Sequence, residues 1–430
     1  MRLARIARAS RTRRGLVLAS VAALALAVTV VAGLSAVEWK APLDYAAYTG
    51  GHGKANSKLK PVVIGWINGQ GGTVPGTSFP STTRAAEAVV KMINAELGGI
   101  DGHLVKLNEC FIISAEEEGT KCGQQMANDT KVKIVVHGVV VVGNQSEYNV
   151  LKGTKPVVMG VSASNADVNA KNVFSLIGTS ISVLSSFGPY VKLVYPNVKT
   201  TAVVYPNQPG ADVAANSIKK SMESVGLKTD LIAHSVTASD LVGAATQANG
   251  YDLINASCNF GDCALLAKGL DAIGSTKPVL TPPLAIFIPF FLYPHGDFPK
   301  WDVGIAQSFL FDAKDPQIRL FQTKGAQYGL SEADQKDAFA ELAWSSMLVV
   351  AKIMNTVPYA TLAGPQGSSL VTAGFKAFRG PLVMGSPVVG CGTIDPTQPA
   401  ACANQSQYYR YQGGGKWLHT SGFIGPPKKK

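Results

Sequence analysis

An α/β fold with two Rossmann-like lobes in tandem is the fold class that the sequence predicts. Short apolar runs alternate with amphipathic stretches of helix length from Pro61 to Gly160, and a second series of this kind begins after residue 180. Alternation at this spacing is typical of βαβ units, which place a parallel sheet between two layers of helices. The 430 residues, 46% of them hydrophobic, are enough for two or three domains.

The elements of the first lobe follow from this alternation. The apolar runs PVVIGWI, HLVKLNECF, KIVVHG and PVVMG are interpreted as strands, and the amphipathic stretches between them as helices. We therefore predict strands at 61–67, 103–111, 133–138 and 156–160 and helices at 79–97 and 115–130.

The second lobe repeats the pattern after residue 180. Helices are predicted at 182–195, 210–226, 237–248 and 263–274, and strands at 200–206, 228–234, 251–257 and 277–280.

The last third of the chain is predicted to pack back onto both lobes. Its helices are expected at 315–329, 331–357 and 368–378, and a β-hairpin closed by Gly413–Gly415 at 408–424. The chain must then pass between the lobes more than once, which predicts a hinge with three crossings. We predict lobe 1 as 61–180 with 305–380, lobe 2 as 181–304 with 381–424, and crossings near Gly178–Ile181, Lys300–Ile305 and Gly380–Leu382.

The N-terminus predicts export. Six arginines are followed by the uncharged run Gly15–Val37, which is typical of a signal peptide; the run is also long enough for an uncleaved anchor, and both interpretations of residues 1–37 stay open. Arg13-Arg14 loosely resembles a twin-arginine signal, so either export route is compatible with the sequence. Residues 38–60 are expected to be a polar linker and 425–430 a basic tail. The predicted location is extracytoplasmic, with membrane contact through the N-terminal segment alone.

The positive charge does not indicate a nucleic-acid partner. The formal net charge is +11, but the six N-terminal arginines and the three C-terminal lysines account for most of it, which leaves about +2 for the folded body. A nucleic-acid-binding protein would carry its basic residues in a cluster on the fold itself.

The six cysteines fall into three close pairs. An even number in an exported chain predicts disulfides, and near-neighbour pairing is the simplest of the possible connectivities. A metal site is not indicated, since no CxxC occurs and the histidines show no ligand spacing to the cysteines. The predicted bridges are Cys110–Cys122, Cys258–Cys263 and Cys391–Cys402.

No enzymatic motif is complete. The segment 160–164, GVSAS, has Ser164 where a nucleophile elbow needs glycine, and GQGGTV at 69–74 departs from the dinucleotide fingerprint at its last position. We therefore predict no catalytic residues and no cofactor.

Several segments together resemble one family. They are the strand and Gly-rich loop PVVIGWINGQGG, the helix and turn AAEAVVKMINAELGGIDGHLVKL, the strand-loop pairs KIVVHGVVVVGNQS and PVVMGVSASN, and, in the second half, TTAVVYPNQPGADVAANSIKKSMESVG and VTASDLVGAATQANGYDLINAS. Their order and spacing from Pro61 to Ile424 resemble the type I periplasmic solute-binding proteins of ABC transporters, in particular the branched-chain amino acid binding proteins. The resemblance implies capture of a small molecule by closure of the lobes and delivery to permease subunits. A membrane-anchored ligand sensor with the same module is the alternative.

The binding site is expected where the parallel strands end, because loops and helix N-termini meet there in doubly wound sheets. For Ser162 and Ser164 two interpretations stay open: they cap the following helix, or they provide the hydroxyl contacts that the resemblance implies for a ligand carboxylate. For Tyr205 and Phe260 the alternatives are aromatic walls and plain core. The candidate ligand-binding residues are Gln70, Gly71, Gly143, Asn144, Gln145, Ser162, Ala163, Ser164, Tyr205, Asn259, Phe260 and Pro283.

The chain departs from the resembled family where an amino acid's ammonium would bind. The family's acidic side chain follows the strand that corresponds to KPVL, but the segment Thr281–Phe287 contains no carboxylate, and Pro209 stands about where a tyrosine is common. Asp212, Asp262 and Glu147 are placed on helices instead. Since an unpaired buried charge is prohibitive, we predict a ligand without a free α-ammonium: an organic acid, an amide or a neutral apolar molecule.

Overall fold

The computed structural model describes residues 41–73, 78–162, 164–208, 211–258, 260–282 and 298–427, with the backbone alone at Phe260. The predicted signal or anchor at 1–37 lies outside these ranges. Within them, no helix combines the length and the apolar composition that a membrane crossing needs.

Five parallel strands form the first sheet, in the order β2-β1-β3-β4-β5. Val62 pairs with Val105 and Gly69 with Ile112, so the two longest strands run side by side over their full length. The strands are β1 (Val62–Gly69), β2 (Val105–Ile112), β3 (Val132–His137), β4 (Val157–Met159) and β5 (Val173–Ser175).

Seven strands form the second sheet, in the order β12-β11-β10-β9-β8-β6-β7. Strands β6 to β10 are parallel where they pair, and the last two strands add an antiparallel hairpin at one edge. The strands are β6 (Thr200–Pro206), β7 (Lys228–His234), β8 (Leu253–Ala256), β9 (Val279–Thr281), β10 (Asp302–Ile305), β11 (Ser406–Gly413) and β12 (Lys416–Ile424).

The helices lie between and after these strands. Those that precede the second sheet are α1 (Tyr45–Thr49), α2 (Pro80–Glu96), α3 (Glu116–Asn128), α4 (Asn144–Leu151) and α5 (Asn165–Asn169). A 3-10 turn (Ser182–Ser186) then leads into α6 (Phe187–Val194), α7 (Ala211–Glu223), α8 (Val242–Ala248) and α9 (Phe260–Ala272). The last are α10 (Pro316–Gln327), α11 (Glu332–Gln335), α12 (Ala338–Met354), α13 (Tyr359–Leu362) and α14 (Gly367–Ala377).

Apolar side chains fill both faces of the first sheet. On one face, α2 and α12 pack on residues such as Trp66 and Val136, and α12 is buried along nearly its whole length. On the other face, α3 and α4 pack on Ile67 and Val135. This two-sided burial explains why the strands read as continuous apolar runs rather than alternating ones.

The predicted elements are present, and the structure adds short ones for which the sequence analysis gave no bounds, β5 and β10 among them. The strands β5 and β10 contain three and four residues, too few to produce a pattern. The helix predicted at 182–195 begins as the 3-10 turn, and the one predicted at 331–357 is divided at Asp337, which caps α12.

The segment predicted as a linker is part of the folded body, which corrects that expectation. Within it, α1 buries Tyr45 and Tyr48 in the core, and the Tyr48 hydroxyl donates to the Pro381 carbonyl at 2.9 Å. Further along, Asn56 bridges to His103 beside β2. Two buried tyrosines are enough to hold a short polar segment against the first lobe.

The chain passes between the two sheets three times, and the third passage alone lies elsewhere than predicted. The first follows β5 at 176–181, as expected. The second follows Ile305, because 302–305 is a paired strand of the second sheet. The third lies between Ala403 and Ser406, since Ala401 still pairs beside Ser175 of the first sheet. Residues 391–402 therefore belong with the first sheet, unlike the predicted lobe boundary at 381.

All three disulfides form as predicted. Cys110–Cys122 ties β2 to α3, Cys258–Cys263 closes the turn between β8 and α9, and Cys391–Cys402 closes the loop beside β5. No free cysteine remains.

Candidate functional site

The carboxyl ends of the two sets of parallel strands meet at the crossings. One passage leaves from the end of β5 and another from the end of β10, so strand ends of both sheets lie at the passages. At the crossings, the Ser182 hydroxyl donates to the Ala403 carbonyl at 3.1 Å, and the Ser308 N–H donates to the Met384 carbonyl at 2.9 Å. We call the residues that follow β1 to β5 the first carboxyl edge, and those that follow β6 to β9 the second carboxyl edge.

At the end of β1, Gln70 is held by its neighbours. The Thr83 hydroxyl donates to its side-chain oxygen at 2.7 Å, and buried Asn68 donates to Thr83 at 3.0 Å. Asn68 also accepts the N–H of Val139 at 3.0 Å, so it links the ends of β1 and β3. Gly71, at φ +95°, donates its N–H to the Ser78 hydroxyl at 3.2 Å. Asn68 was missed by sequence reasoning, although an amide inside an apolar run is a detectable signal.

The N–H of Gly143 is used by a carboxylate of the chain. It donates to Glu116 at 3.0 Å, and the Ser146 hydroxyl donates to the other oxygen of the same carboxylate at 2.8 Å. These two bonds hold the pKa of Glu116 below its usual range. Gly143 has φ +86° and its backbone lies against Gly119, where a Cβ would meet the Gly143 carbonyl at 2.1 Å. Glycine at both positions allows the starts of α3 and α4 to touch.

Three of the predicted polar residues converge on buried Asp167. Asn144 donates to Asp167 at 2.8 Å, the Ser162 hydroxyl at 3.1 Å, and the Ser164 N–H at 3.0 Å. The Tyr148 hydroxyl adds a fourth bond at 2.6 Å. Ser164 also caps α5 by accepting the N–H of Ala166. Ser164 therefore caps a helix, as one of the two interpretations expected, whereas the Ser162 hydroxyl donates to Asp167 and to the Ser164 carbonyl. Ala163 lies outside the described residues.

Gln145 points away from the other candidates. It is exposed and donates to Asn149 at 3.1 Å along α4. Both line a groove of about 490 Å³ between α4 and α5, together with Tyr148, Lys152 and Lys171.

A buried ion pair lies beneath the first carboxyl edge. His137 ends β3, Glu147 lies on α4, and their side chains approach to 2.9 Å while 2% and 0% exposed. Burial lowers the pKa of His137, but the charge and hydrogen bond of Glu147 outweigh it, so that the pKa is raised. Glu147 is thus committed to His137 and does not replace the missing acid of the resembled family.

The second carboxyl edge is described in part. Tyr205 is half-buried against the core, Ser257 donates its N–H to the Val204 carbonyl at 2.9 Å, and the Thr281 hydroxyl donates to the Ala256 carbonyl at 3.1 Å. Asn259, the side chain of Phe260, and Pro283 lie outside the described residues.

Three apolar side chains at or just before the first carboxyl edge are exposed. Phe111 is 37% exposed, Ile113 44% and Val141 36%. The side chain of Ile113 lies beside Gly71. Within the described ranges, no group of three or more histidine, cysteine or acidic side chains is arranged to hold a metal ion. The site therefore offers apolar surface and loop backbone rather than a metal centre.

Two parallel α/β sheets, joined by three passages of the chain at which strand ends of both sheets lie, define a two-lobed binding protein. The chain belongs to the periplasmic binding protein family, whose model matches residues 61–406. Members of this family are substrate-binding proteins and not enzymes. A comparison with curated protein sequences finds no match.

Solved structures of low sequence identity share the fold. The leucine-binding protein LivK of Thermotoga maritima superposes with a TM-score of 0.62 at 13% identity, over 85% of this chain and 99% of that one. The branched-chain amino acid binding protein LivJ of Streptococcus pneumoniae, in complex with isoleucine, gives 0.60 at 16% identity, over 85% and 100%. A solute-binding protein of R. palustris in complex with benzoate gives 0.60 at 14% identity, over 85% and 97%.

Proposed function

We propose that this chain is an extracytoplasmic solute-binding protein that captures a small organic molecule between its lobes and delivers it to an ABC permease. The observation that carries the proposal is the meeting of two sets of parallel strand ends at three passages of the chain. In the proposed scheme, loops from both sheets surround one space and few segments need to bend, which is how hinged binding proteins enclose a ligand.

Closure supplies the signal that a permease needs. The ligand shifts the population toward the closed form by its difference in affinity for the open and closed states. The closed protein then presents both lobes in one fixed arrangement, and the permease distinguishes it from the open protein. The candidate residues at both edges act in this scheme by contact with the ligand and not by chemistry on it.

The alternative is a membrane-anchored sensor that uses the same closure. It is favoured by the uncharged run Gly15–Val37, which is long enough for an anchor. The N-terminal residue of the mature protein separates the two: a start near 33–38 favours a released binding protein, and an intact N-terminus favours the sensor.

Transport is tested with the permease. Permease and ATPase subunits encoded beside this gene are reconstituted in proteoliposomes, and ATP hydrolysis is measured with the binding protein and a ligand that calorimetry has identified. Stimulation that needs both the binding protein and the ligand supports the proposal. Equal hydrolysis with and without the liganded protein contradicts it, as does a gene neighbourhood without a permease.

A further inference from the structure

The helices that start at the first carboxyl edge have their N-termini covered by carboxylates of the chain itself. Glu118 accepts the N–H groups of Ile113, Ser114 and Ala115 at the start of α3, at 2.8 to 3.0 Å. Glu116 accepts the N–H of Gly143 at the start of α4. The N–H of Ser114 is the chief cause that lowers the pKa of Glu118. Both carboxylates therefore stay ionised in neutral solution. They cover the helix N-termini at which an anion would otherwise bind.

Other helices at the two edges also have an acid at or near their start. At the start of α5, Asp167 accepts the Ser164 N–H, and at the start of α2 the Ser81 hydroxyl donates to Asp337 at 2.8 Å. On the second edge, Asp240 accepts the Val242 N–H at 3.1 Å before α8. Asp212 and Asp262 lie in the first turns of α7 and α9. The positive ends of these helices are thus each accompanied by an acid.

Basic residues are missing from the loops that leave the strand ends. The chain has 39 lysines and arginines, yet the sequence of these loops contains none. The loops are 70–79, 113–115, 138–143, 160–164 and 176–181 after the first five strands, and 207–210, 235–241, 257–259 and 282–298 after β6 to β9. An anionic ligand would therefore meet no lysine or arginine from these loops.

The repulsion between a ligand carboxylate and these carboxylates is large enough to decide which class of ligand binds. Two like charges about 5 Å apart at an effective dielectric of about 20 weaken binding by roughly a hundredfold. A zwitterionic ligand is disfavoured as well, because its carboxylate meets the same repulsion. The segment Thr281–Phe287 contains no acidic residue that could pair with its ammonium group. Phe111, Ile113 and Val141 meanwhile expose apolar surface at the same edge.

We propose that the ligand of this protein is an uncharged, largely apolar small molecule, because Glu116, Glu118 and Asp167 occupy the positions that would bind a ligand carboxylate. The proposal rests on the proposed function of ligand capture and specifies its substrate class. The sequence predicted an organic acid, an amide or a neutral apolar molecule. The proposal removes the organic acid from these three classes of ligand.

Thermal unfolding with three compound pools at equal concentration tests the substrate class. The first pool holds uncharged amides, with benzamide and isovaleramide among them; the second holds the corresponding carboxylates; the third holds the common amino acids. We expect the first pool alone to raise Tm. A rise with the carboxylates or the amino acids overturns the uncharged ligand and leaves ligand capture intact. No rise with any pool overturns the proposed function on which the inference rests.

Glu116→Ala tests the role of the covering carboxylate, with Glu117→Ala, its exposed neighbour of the same charge on α3, as the matched control. Calorimetry with benzoate is expected to give at least about tenfold tighter binding to E116A than to the unaltered protein, and no change for E117A. Equal benzoate binding by the two variants overturns the role of Glu116. Should E116A lack a cooperative thermal transition, Glu116→Gln, which removes the charge and retains an acceptor, takes its place.

Discussion

At the scale of single residues, the buried carboxylates influence how the stability of the protein depends on pH. Asp167 accepts hydrogen bonds from four donors among the described residues, and Glu147 pairs with His137. Glu341 on α12 differs from both: it is 1% exposed, and within the described ranges only the side chain of Gln307 offsets the effect of burial on its pKa. Burial is the main reason that its pKa is raised well above the usual value, and the charge of Asp315 adds to the shift.

Glu341→Gln is expected to stabilise the protein at neutral pH. The folded-state pKa lies above the unfolded one, so the native state favours the protonated form, and stability falls as pH rises above about 4.3. The uncharged amide avoids this loss, and we expect a gain on the order of 2 kcal/mol at pH 7 that disappears near pH 4. Urea unfolding at several pH values measures it.

The control for this experiment is Glu223→Gln, on an exposed i, i+4 pair with Lys219 of α7. Its stability should change by less than about 0.5 kcal/mol across the same pH range. A loss of stability in E341Q at pH 7 would mean that the ionised carboxylate has a partner, and would contradict the account.

The hydrogen-bond partners of the candidate site residues could not be predicted from the sequence. The loop positions of Gly143, Ser162 and Ser164 were predicted correctly, because strand ends can be read from apolar runs. Their partners were not, since Glu116 precedes Gly143 by 27 positions. Such pairings depend on how α3 and α4 pack, and local pattern carries no information about that.

At the scale of elements, the length of a strand or helix determines whether it can be predicted from the sequence. The bounds of β6 and β7 agree with the prediction to the residue, because each is seven residues long and lies between two predicted helices or turns that mark its ends. The strands β5 and β10 and the helix α1 are three to five residues long and are stabilised by neighbours far along the chain. Sequence reasoning therefore did not find these three elements.

The disulfide between β2 and α3 is expected to stabilise the edge of the first sheet. It spans 12 residues, so closing this loop in the unfolded chain contributes about 3 kcal/mol. Replacing Cys110 and Cys122 together with alanine should lower the free energy of unfolding by about this amount, measured by urea denaturation. The pair Cys258 and Cys263, separated by 5 residues, should cost less, about 2 kcal/mol. A larger loss from the shorter loop would contradict the loop-closure explanation.

At the scale of the whole molecule, the account depends on movement of one lobe against the other. The three passages at 176–181, 306–315 and 403–406 lie together, and hydrogen bonds such as Ser182 to Ala403 and Ser308 to Met384 connect them to their surroundings. A small set of adjacent segments can absorb a rotation while both sheets keep their internal packing. The fold class and the number of passages could be predicted from the order of elements; the site of the third passage required the pairing of Ala401 with Ser175.

Small-angle X-ray scattering tests the central claim, that a ligand closes the two lobes. The protein is measured alone and with a saturating amount of a compound to which calorimetry has shown binding. The account predicts a smaller radius of gyration with that compound, and no change with its non-binding charged counterpart. A compound that binds in calorimetry and leaves the radius of gyration unchanged would contradict capture by lobe closure.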